Sequence, residues 1–221
     1  MRYEEWEPFY LKIVNEFGYS IADDSRAAEL LSELVSDAQR VGDVGSFMGE
    51  KVRGRDFVIM GPCPLPVETL SKIKERIDAR NIALITVGEG TKNAMDAGLV
   101  PEMIFTDLDG FPEVDMAANE KGAVVVIHAH GDNMSRLRTW VPQFRGRIIP
   151  TCQCSPMPGV HNWGGFTDGD RAYCALRHFG ARSITLEGFD LKNPCGSKHV
   201  DVETKRHKLE WAERIIGLNS L

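Results

Sequence analysis

The chain has 221 residues, 43% of them hydrophobic and 26% charged, with a formal net charge of −6 and a pI near 5.6. This composition is ordinary for a globular protein and excludes wholesale disorder. The acidic balance disfavours nucleic acid and anionic membranes, and no apolar run approaches the roughly 20 residues that span a bilayer. We therefore expect no nucleic-acid or membrane partner. An acidic protein that handles phosphates must gather cations locally or recruit metal ions.

The N-terminus is acidic and lacks the basic and apolar regions of a signal peptide. The five cysteines of the chain are odd in number and irregularly spaced: Cys63, Cys152, Cys154, Cys174 and Cys195. In a chain without an export signal this pattern predicts reduced thiols and a cytoplasmic location.

The first fifty residues predict helices. Apolar residues over 3–17 recur at helical spacing, and a second amphipathic stretch follows Asp23, Asp24 and Ser25, which are candidate N-caps. We interpret residues 1–50 as a helical N-terminal appendage to an α/β catalytic domain over residues 51–221. The sequence does not indicate a function for the appendage.

From residue 56 onward, short apolar runs rich in β-branched residues alternate with helix-like segments. Continuous runs of this kind are typical of strands buried on both faces of a parallel sheet. The predicted strands are 57–60, 82–87, 103–105, 124–127, 148–149 and 184–186, and helix-like segments include 67–79, 133–144 and 169–179. The alternation predicts an α/β fold: an open, mostly parallel, Rossmann-like sheet with flanking helices.

Polar and glycine residues follow five of these apolar runs. Carboxyl ends of parallel strands converge on one crevice, towards which helix N-termini point. The five segments are Gly61-Pro62-Cys63-Pro64-Leu65, Gly88-Glu89-Gly90-Thr91, Thr106-Asp107-Leu108-Asp109-Gly110, His128-Ala129-His130-Gly131-Asp132-Asn133 and Glu187-Gly188-Phe189-Asp190. Their common position predicts a ligand site, and a nucleotide is the ligand class that suits it.

Asp107-Leu108-Asp109 is the sharpest element of this predicted site. Residues two apart on an extended segment point the same way, so two carboxylates can share one divalent ion. Mg²⁺ binds one or two carboxylates together with substrate phosphates. The alternative is a loop in which the aspartates form an Asx-turn or cap a helix.

Two glycine-containing loops are candidates for nucleotide contacts. Gly61 and Pro62 would let backbone approach a nucleotide, or they only turn the chain. Gly90 and Thr91 would open a helix whose N-terminus faces phosphate. Neither loop carries a Gly-x-Gly-x-x-Gly or Gly-Lys-Ser/Thr motif.

His128 and His130 share one face of their strand end, where they can bind metal, hydrogen-bond phosphate or pack. The following Asp132 and Asn133 favour a ligand loop, with Asn133 as a cofactor contact. Asp132 or a histidine of the pair would accept a proton in catalysis.

Residues 162–171 combine aromatic rings, glycines and ionisable groups. The aromatic faces would sandwich a flat heterocycle, and a carboxylate would pair with its amino-pyrimidine edge. The candidate substrate contacts are Phe166, Thr167, Asp168, Asp170 and Arg171, with Asp190 after the last strand. The alternative is a helix start with Thr167 or Asp168 as its N-cap.

Lys205 and Lys208 lie three apart in a C-terminal helix-like segment and therefore share one face. Such lysines usually form a solvated face. In an acidic protein that needs cations for phosphate, Lys205 is a candidate triphosphate contact.

Taken together, these motifs resemble the archaeal 6-hydroxymethyl-7,8-dihydropterin pyrophosphokinases. The Thr-Asp-Leu-Asp-Gly, His-Ala-His-Gly-Asp-Asn and Gly-Phe-Thr-Asp-Gly-Asp-Arg-Ala strings, at 106–110, 128–133 and 165–172, carry the resemblance, which runs from about residue 55 onward. It implies a fold related to the thiamine pyrophosphokinase catalytic domain and a homodimer. It also implies Mg²⁺-dependent transfer of pyrophosphate from ATP to the pterin alcohol, with Asp107 and Asp109 as the acidic metal motif.

Three alternatives remain at this stage. A nucleotide-sugar glycosyltransferase also uses a D-x-D metal site and would release UDP, GDP or CMP. Thiamine pyrophosphokinase would use a different alcohol. A non-catalytic nucleotide or pterin sensor would bind tightly without turnover.

Overall fold

A computed structural model describes residues 1–79, 81–190, 192, 195 and 201–218. Its centre is a six-stranded, entirely parallel sheet with strand order β5-β4-β3-β2-β1-β6. The strands are β1 (Asp56–Met60), β2 (Ala83–Val87), β3 (Met103–Thr106), β4 (Val124–Ala129), β5 (Ile148–Cys152) and β6 (Ser183–Glu187). The predicted α/β fold and parallel sheet are confirmed.

Helices cover both faces of the sheet. They are α1 (Tyr3–Phe17), α2 (Ile21–Leu34), α3 (Val44–Val52), α4 (Val67–Asp78), α5 (Gly90–Asp96), α6 (Pro112–Glu120), α7 (Met134–Trp140), α8 (Asp168–His178) and α9 (Val202–Leu218). Within these described residues, none of the helices has both the length and the hydropathy needed to cross a bilayer.

Alternate residues of β1–β5 enter cores on opposite faces, which explains their continuous apolar runs. Phe57, Ile59 and Ile85 pack with α3 and α8 on one face. On the other face, one cluster joins β3–β5 to α2, α6 and α7, and another joins β1 and β2 to α4 and α5. This burial fixes the strand register and brings the strand ends to one edge.

The first fifty residues are helical, as predicted, but α2 begins earlier than expected. Ser20 is its N-cap and accepts a hydrogen bond from Asp23 N at 3.2 Å, so Asp23, Asp24 and Ser25 lie inside the helix. The α1–α2 hairpin packs against the sheet and α9 through shared core clusters. The domain boundary at residue 50 stays a prediction.

The prediction that all cysteines are reduced is wrong for one pair. Cys63, after β1, forms a disulfide with Cys195, although 132 positions separate them in the sequence. Cys152, Cys154 and Cys174 are buried thiols outside this disulfide. Irregular spacing carries no information about this pair, because only the folded sheet brings the loop after β1 next to the segment before α9.

Candidate functional site

A cavity of about 370 Å³ lies at the carboxyl edge of the sheet, where the strand-end loops converge. Most of the residues that we predicted for the site line it. They are Pro62, Asp107, Asp109, His130, Asp132, Phe166, Thr167, Asp168, Arg171, Asp190 and Lys205.

Three carboxylates meet in this cavity: oxygens of Asp107, Asp109 and Asp168 all lie within 4.8 Å of one another. Asp107 and Asp109 converge by a route that differs from the predicted extended segment. Leu108 between them has a φ of 66°, and Asp109 N donates to Asp107 Oδ1 at 3.2 Å, which is an Asx-turn. A left-handed non-glycine residue costs on the order of 1–3 kcal/mol, and burial of the Leu108 side chain helps to stabilise it.

Hydrogen bonds from the β4 end hold Asp107 in place. His130 Nε2 lies 3.1 Å from Asp107 Oδ2, and Asn133 Nδ2 donates to the backbone oxygens of Asp107 and His128 at 3.0 and 2.7 Å. His130 Nδ1 accepts from Asp132 N at 3.3 Å, which assigns the ring proton to Nε2. Both His130 nitrogens are therefore engaged, so the ring orients Asp107 and offers no vacant lone pair to a substrate proton.

Two other residues of this region lie outside the cavity lining. Asn133 is buried beneath the loop and supports it as described above, in place of the cofactor contact that we predicted. His128 is also buried, with Nδ1 3.2 Å from Thr151 Oγ1, so of the two histidines His128 packs and His130 faces the site.

The three carboxylates strongly shift one another's pKa values. Burial, and then the charge of Asp107, raises the pKa of Asp109 to about 7. Burial and the same charge raise the pKa of Asp168, while Arg171 opposes this shift. Burial alone would raise the pKa of Asp107, but the hydrogen bond from His130 and nearby positive charge outweigh it and lower that pKa. The cluster thus favours a bound proton or cation.

The two aspartates at the start of α8 have different positions. Asp168 lines the cavity and pairs with Arg171 Nη1 at 3.0 Å. Asp170 is fully buried and accepts hydrogen bonds from Phe166 N at 2.6 Å and Thr167 N at 2.7 Å. Thr167 is the N-cap, as one alternative predicted. Asp170 therefore belongs to the helix start and not to the cavity, where we expected a substrate contact.

Three predicted nucleotide contacts lie behind the cavity wall. A Cβ on Gly61 would lie 2.6 Å from the Gly188 oxygen, and one on Gly90 would lie 2.4 Å from the Met60 oxygen. These glycines let neighbouring strand-end loops approach closely. Thr91 is buried, with its hydroxyl 2.9 Å from that of Thr86. The residues of these two loops that border the cavity are Pro62, Cys63, Gly88 and Glu89.

Helix α9 brings two lysines to the opposite wall. Lys205 Nζ donates to the Cys195 oxygen at 2.7 Å, and burial lowers its pKa while the charges of Glu89 and Asp109 raise it. The Lys208 ammonium lies 5.7 and 5.6 Å from the ring centres of Tyr19 and Phe166. Cation–π attraction of this kind favours a lysine position within the cavity.

No sequence motif indicates the remaining wall, which comes from the α1–α2 hairpin. Gly18, Tyr19, Ser20, Asp23 and Asp24 line the cavity together with Gln153 after β5. The sequence around these residues forms a helical hairpin of ordinary composition. Contacts across more than 100 positions reveal their role, such as Gly131 N to Asp24 Oδ1.

The donor set fits a hard divalent cation. Three carboxylates within 4.8 Å supply the oxygen ligands that Mg²⁺ prefers, and the open cavity leaves room for phosphate oxygens and water. The sequence predicts the pair Asp107 and Asp109, and Asp168 adds a third carboxylate to it.

Comparisons of the sequence with a family model and with curated proteins point to the same family. A family model described as "6-hydroxymethylpterin diphosphokinase MptE-like" matches residues 30–195. A 6-hydroxymethyl-7,8-dihydropterin pyrophosphokinase from Pyrococcus furiosus is 37% identical over 227 residues, covering 98% of this chain and 93% of its own. Proteins of the same name from Methanothermobacter thermautotrophicus and Methanocaldococcus jannaschii are 33% and 30% identical, each covering 98% of this chain and 94% and 95% of their own lengths.

Among solved structures, the MAf glycosyltransferase from Magnetospirillum magneticum AMB-1 is similar in fold. Its TM-score is 0.53 at 15% identity, and the match covers 91% of this chain and 34% of that chain. At this identity the likeness concerns the fold alone.

Proposed function

Since the chain belongs to the 6-hydroxymethylpterin diphosphokinase MptE-like family, we propose that it transfers pyrophosphate from ATP to 6-hydroxymethyl-7,8-dihydropterin. The products are AMP and the pterin diphosphate. The observation that carries this proposal is the meeting of Asp107, Asp109 and Asp168 in a cavity that two lysines of α9 also line. Carboxylates for a metal and cations for phosphate then face the same space.

In this proposal Asp107, Asp109 and Asp168 hold Mg²⁺. When bound, Mg²⁺ supplies charge stabilisation to phosphate oxygens. The raised pKa of Asp109 and Asp168 supports a cation there, because a divalent charge removes the repulsion that otherwise favours a proton. Arg171 remains paired with Asp168 and fixes its orientation.

The proposed reaction forms one bond and breaks another. The hydroxymethyl oxygen bonds to the β-phosphorus, and the bond from that phosphorus to the oxygen it shares with the α-phosphate breaks, so AMP leaves. We assign the alcohol proton to Asp132, which lines the cavity, because both nitrogens of His130 are already engaged. Positioning and electrostatics supply most of the catalysis in phosphoryl transfers.

The remaining polar and aromatic wall suits the other parts of the substrates. Lys205 and Lys208 face the polyphosphate, and Phe166 offers an aromatic surface to a flat heterocycle. Homodimerisation and a cytoplasmic location stay predictions that accompany this proposal.

The experiment follows products by mass for purified protein with ATP, Mg²⁺ and the pterin alcohol. We expect AMP and pterin diphosphate in equal amounts, and no turnover after chelation with EDTA. Parallel reactions with thiamine as acceptor, and with UDP-, GDP- and CMP-sugars as donors, test the alternatives. Formation of ADP, or unchanged ATP and pterin with folded protein, would contradict the proposal.

A further inference from the structure

The α1–α2 hairpin contacts the site through the buried carboxylate of Asp24. This residue is 2% exposed and borders the cavity. Its Oδ1 accepts a hydrogen bond from Gly131 N at 2.8 Å, and its Oδ2 accepts from Tyr10 Oη at 2.7 Å and Gln153 Nε2 at 2.9 Å. All three partners donate, which matches an ionised carboxylate, a group that only accepts.

The backbone next to Gly131 connects this hydrogen bond to the carboxylate cluster. Gly131 begins the 3₁₀ turn Gly131–Asn133, and the residue before it, His130, bonds through Nε2 to Asp107 Oδ2 at 3.1 Å. Asn133 closes the same turn by accepting from His130 N at 3.0 Å. The position of His130 therefore depends on the turn, and the turn is bonded at Gly131 to Asp24.

Close packing joins the hairpin to the turn at the same place. A Cβ on Gly131 would lie 2.7 Å from Asp23 Cβ, so only glycine lets the turn approach α2 this closely. On the other side of Asp24, burial and the hydrogen bond to Asp24 raise the pKa of Tyr10, which keeps the phenol a donor. Gln153 is itself fixed, because its backbone oxygen accepts from Trp6 Nε1 at 2.9 Å.

We infer that Asp24 is a positioning residue for the active site: it holds the His130–Asn133 turn, and through His130 it orients the Asp107 carboxylate. The inference rests on the proposed pyrophosphate transfer. It makes the N-terminal hairpin a working part of the site. Carboxylate hydrogen bonds shielded from water are strong, and catalytic groups need orientation by surrounding bonds of this kind.

The test is Asp24→Asn, which keeps the size of the side chain but replaces one acceptor oxygen with an amide donor, facing either Gly131 N or the Tyr10 and Gln153 donors. We expect kcat to fall by about 10- to 100-fold, because small displacements of reacting groups have effects of this size. The KM values for ATP and for the pterin should stay within about threefold, since Asp24 acts through Asp107 and not through substrate binding.

Tyr10→Phe is the matched control. It removes a hydrogen bond to the same carboxylate but leaves the bond between Asp24 and Gly131, and Tyr10 does not line the cavity. We expect a similar loss of thermal stability with kcat within about threefold of the wild type. Equal losses of kcat in both variants would reduce Asp24 to a stabilising residue and overturn the inference.

Gly131→Ala keeps Asp24 but forces the turn away from the hairpin, and it decides the matter if Asp24→Asn does not fold. We expect the same loss of kcat as for Asp24→Asn. A Gly131→Ala enzyme with wild-type kcat would contradict the inference.

A substrate-free measurement separates this inference from the proposed function. In spectra of protein with ¹⁵N-labelled histidine, the His130 ring resonances should shift in Asp24→Asn and stay in place in Tyr10→Phe. Unchanged His130 resonances in Asp24→Asn would overturn the role of Asp24, whatever the enzyme catalyses. A wild-type protein that leaves ATP and pterin unchanged overturns the proposed function instead.

Discussion

At the scale of single residues, Asp115 of α6 connects burial to pH dependence. It is 3% exposed, and burial raises its pKa to about 7 despite hydrogen bonds with Thr91 and Thr106. An unfolded aspartate has a pKa of about 3.9. Between about pH 4 and pH 7 the folded protein therefore holds a proton that the unfolded chain has released.

The sign of the effect follows from this difference in bound protons. The contribution of Asp115 to the free energy of unfolding is largest below about pH 4, declines as the pH rises, and is lost above about pH 7. At about 1.4 kcal/mol per pKa unit, the decline is on the order of 2–4 kcal/mol. Asp115→Asn cannot titrate, so its stability should fall less between pH 4.5 and pH 8.

Chemical denaturation of both proteins across this pH range measures the difference directly. Asp96→Asn, on the exposed side of α5, serves as a control that should follow the wild type. Parallel curves for Asp115→Asn and the wild type would show that Asp115 is ionised in the folded protein.

Single residues also show where sequence reasoning reached the site by the wrong route. Asp107 and Asp109 were predicted to converge because alternate residues of a strand share a face. They converge because Leu108 adopts a left-handed conformation, which no periodicity indicates. The strand ends at Thr106, and the Asx-turn, which is the alternative interpretation of this loop, is what brings the two carboxylates together.

At the scale of elements, the start of α8 separates a structural aspartate from a site aspartate. Asp170 bonds the backbone of Phe166 and Thr167, whereas Asp168 faces the cavity. Asp170→Ala leaves buried donors without a partner, and we expect a loss of about 1–3 kcal/mol in the free energy of unfolding. Asp168→Ala removes a metal ligand of the proposed site, and we expect its main effect on turnover.

Thermal unfolding and kcat, measured on both variants, test this division. The residual activity of Asp170→Ala below its melting temperature should exceed that of Asp168→Ala. The reverse order would return Asp170 to the substrate contacts that its sequence motif suggested.

Elements were also the level at which the sequence was most informative. Strands β1–β5 are buried on both faces, so they show as continuous apolar runs, and the polar loops at the carboxyl ends follow from the parallel arrangement. Helix starts are harder to predict from the sequence, because Ser20 and Asp23 are both acceptable N-caps and only the folded chain shows that Ser20 is the cap. The packing of α1 and α2 against the site was not predictable, because it depends on contacts such as Asp24 with Gly131 and Gln153.

At the scale of the whole molecule, the Cys63–Cys195 disulfide joins the loop after β1 to the segment before α9. A cross-link between such distant positions restricts the unfolded chain, and a typical contribution is about 2–4 kcal/mol. We expect a dithiol reductant to lower the free energy of unfolding of the wild type by about this amount. The Cys63→Ser, Cys195→Ser double variant should unfold identically with and without reductant.

The double variant retains the buried thiols Cys152, Cys154 and Cys174, so it controls for other effects of the reductant. A wild type that is insensitive to reductant, or a double variant that responds as the wild type does, would contradict this role of the disulfide.

The central claim is that the carboxylate cluster at the sheet edge carries the proposed pyrophosphate transfer. Asp109 is the residue to change, because Asp109→Asn keeps the size of the side chain and its backbone bond to Asp107 while removing a metal-binding charge. The measurement is kcat of Asp109→Asn at saturating ATP, pterin and Mg²⁺, beside the wild type and Asp96→Asn. We predict a loss of at least about 100-fold with no fall in melting temperature, and wild-type kcat in Asp96→Asn. An Asp109→Asn enzyme with near-normal turnover would contradict the claim and place the chemistry elsewhere in the cavity.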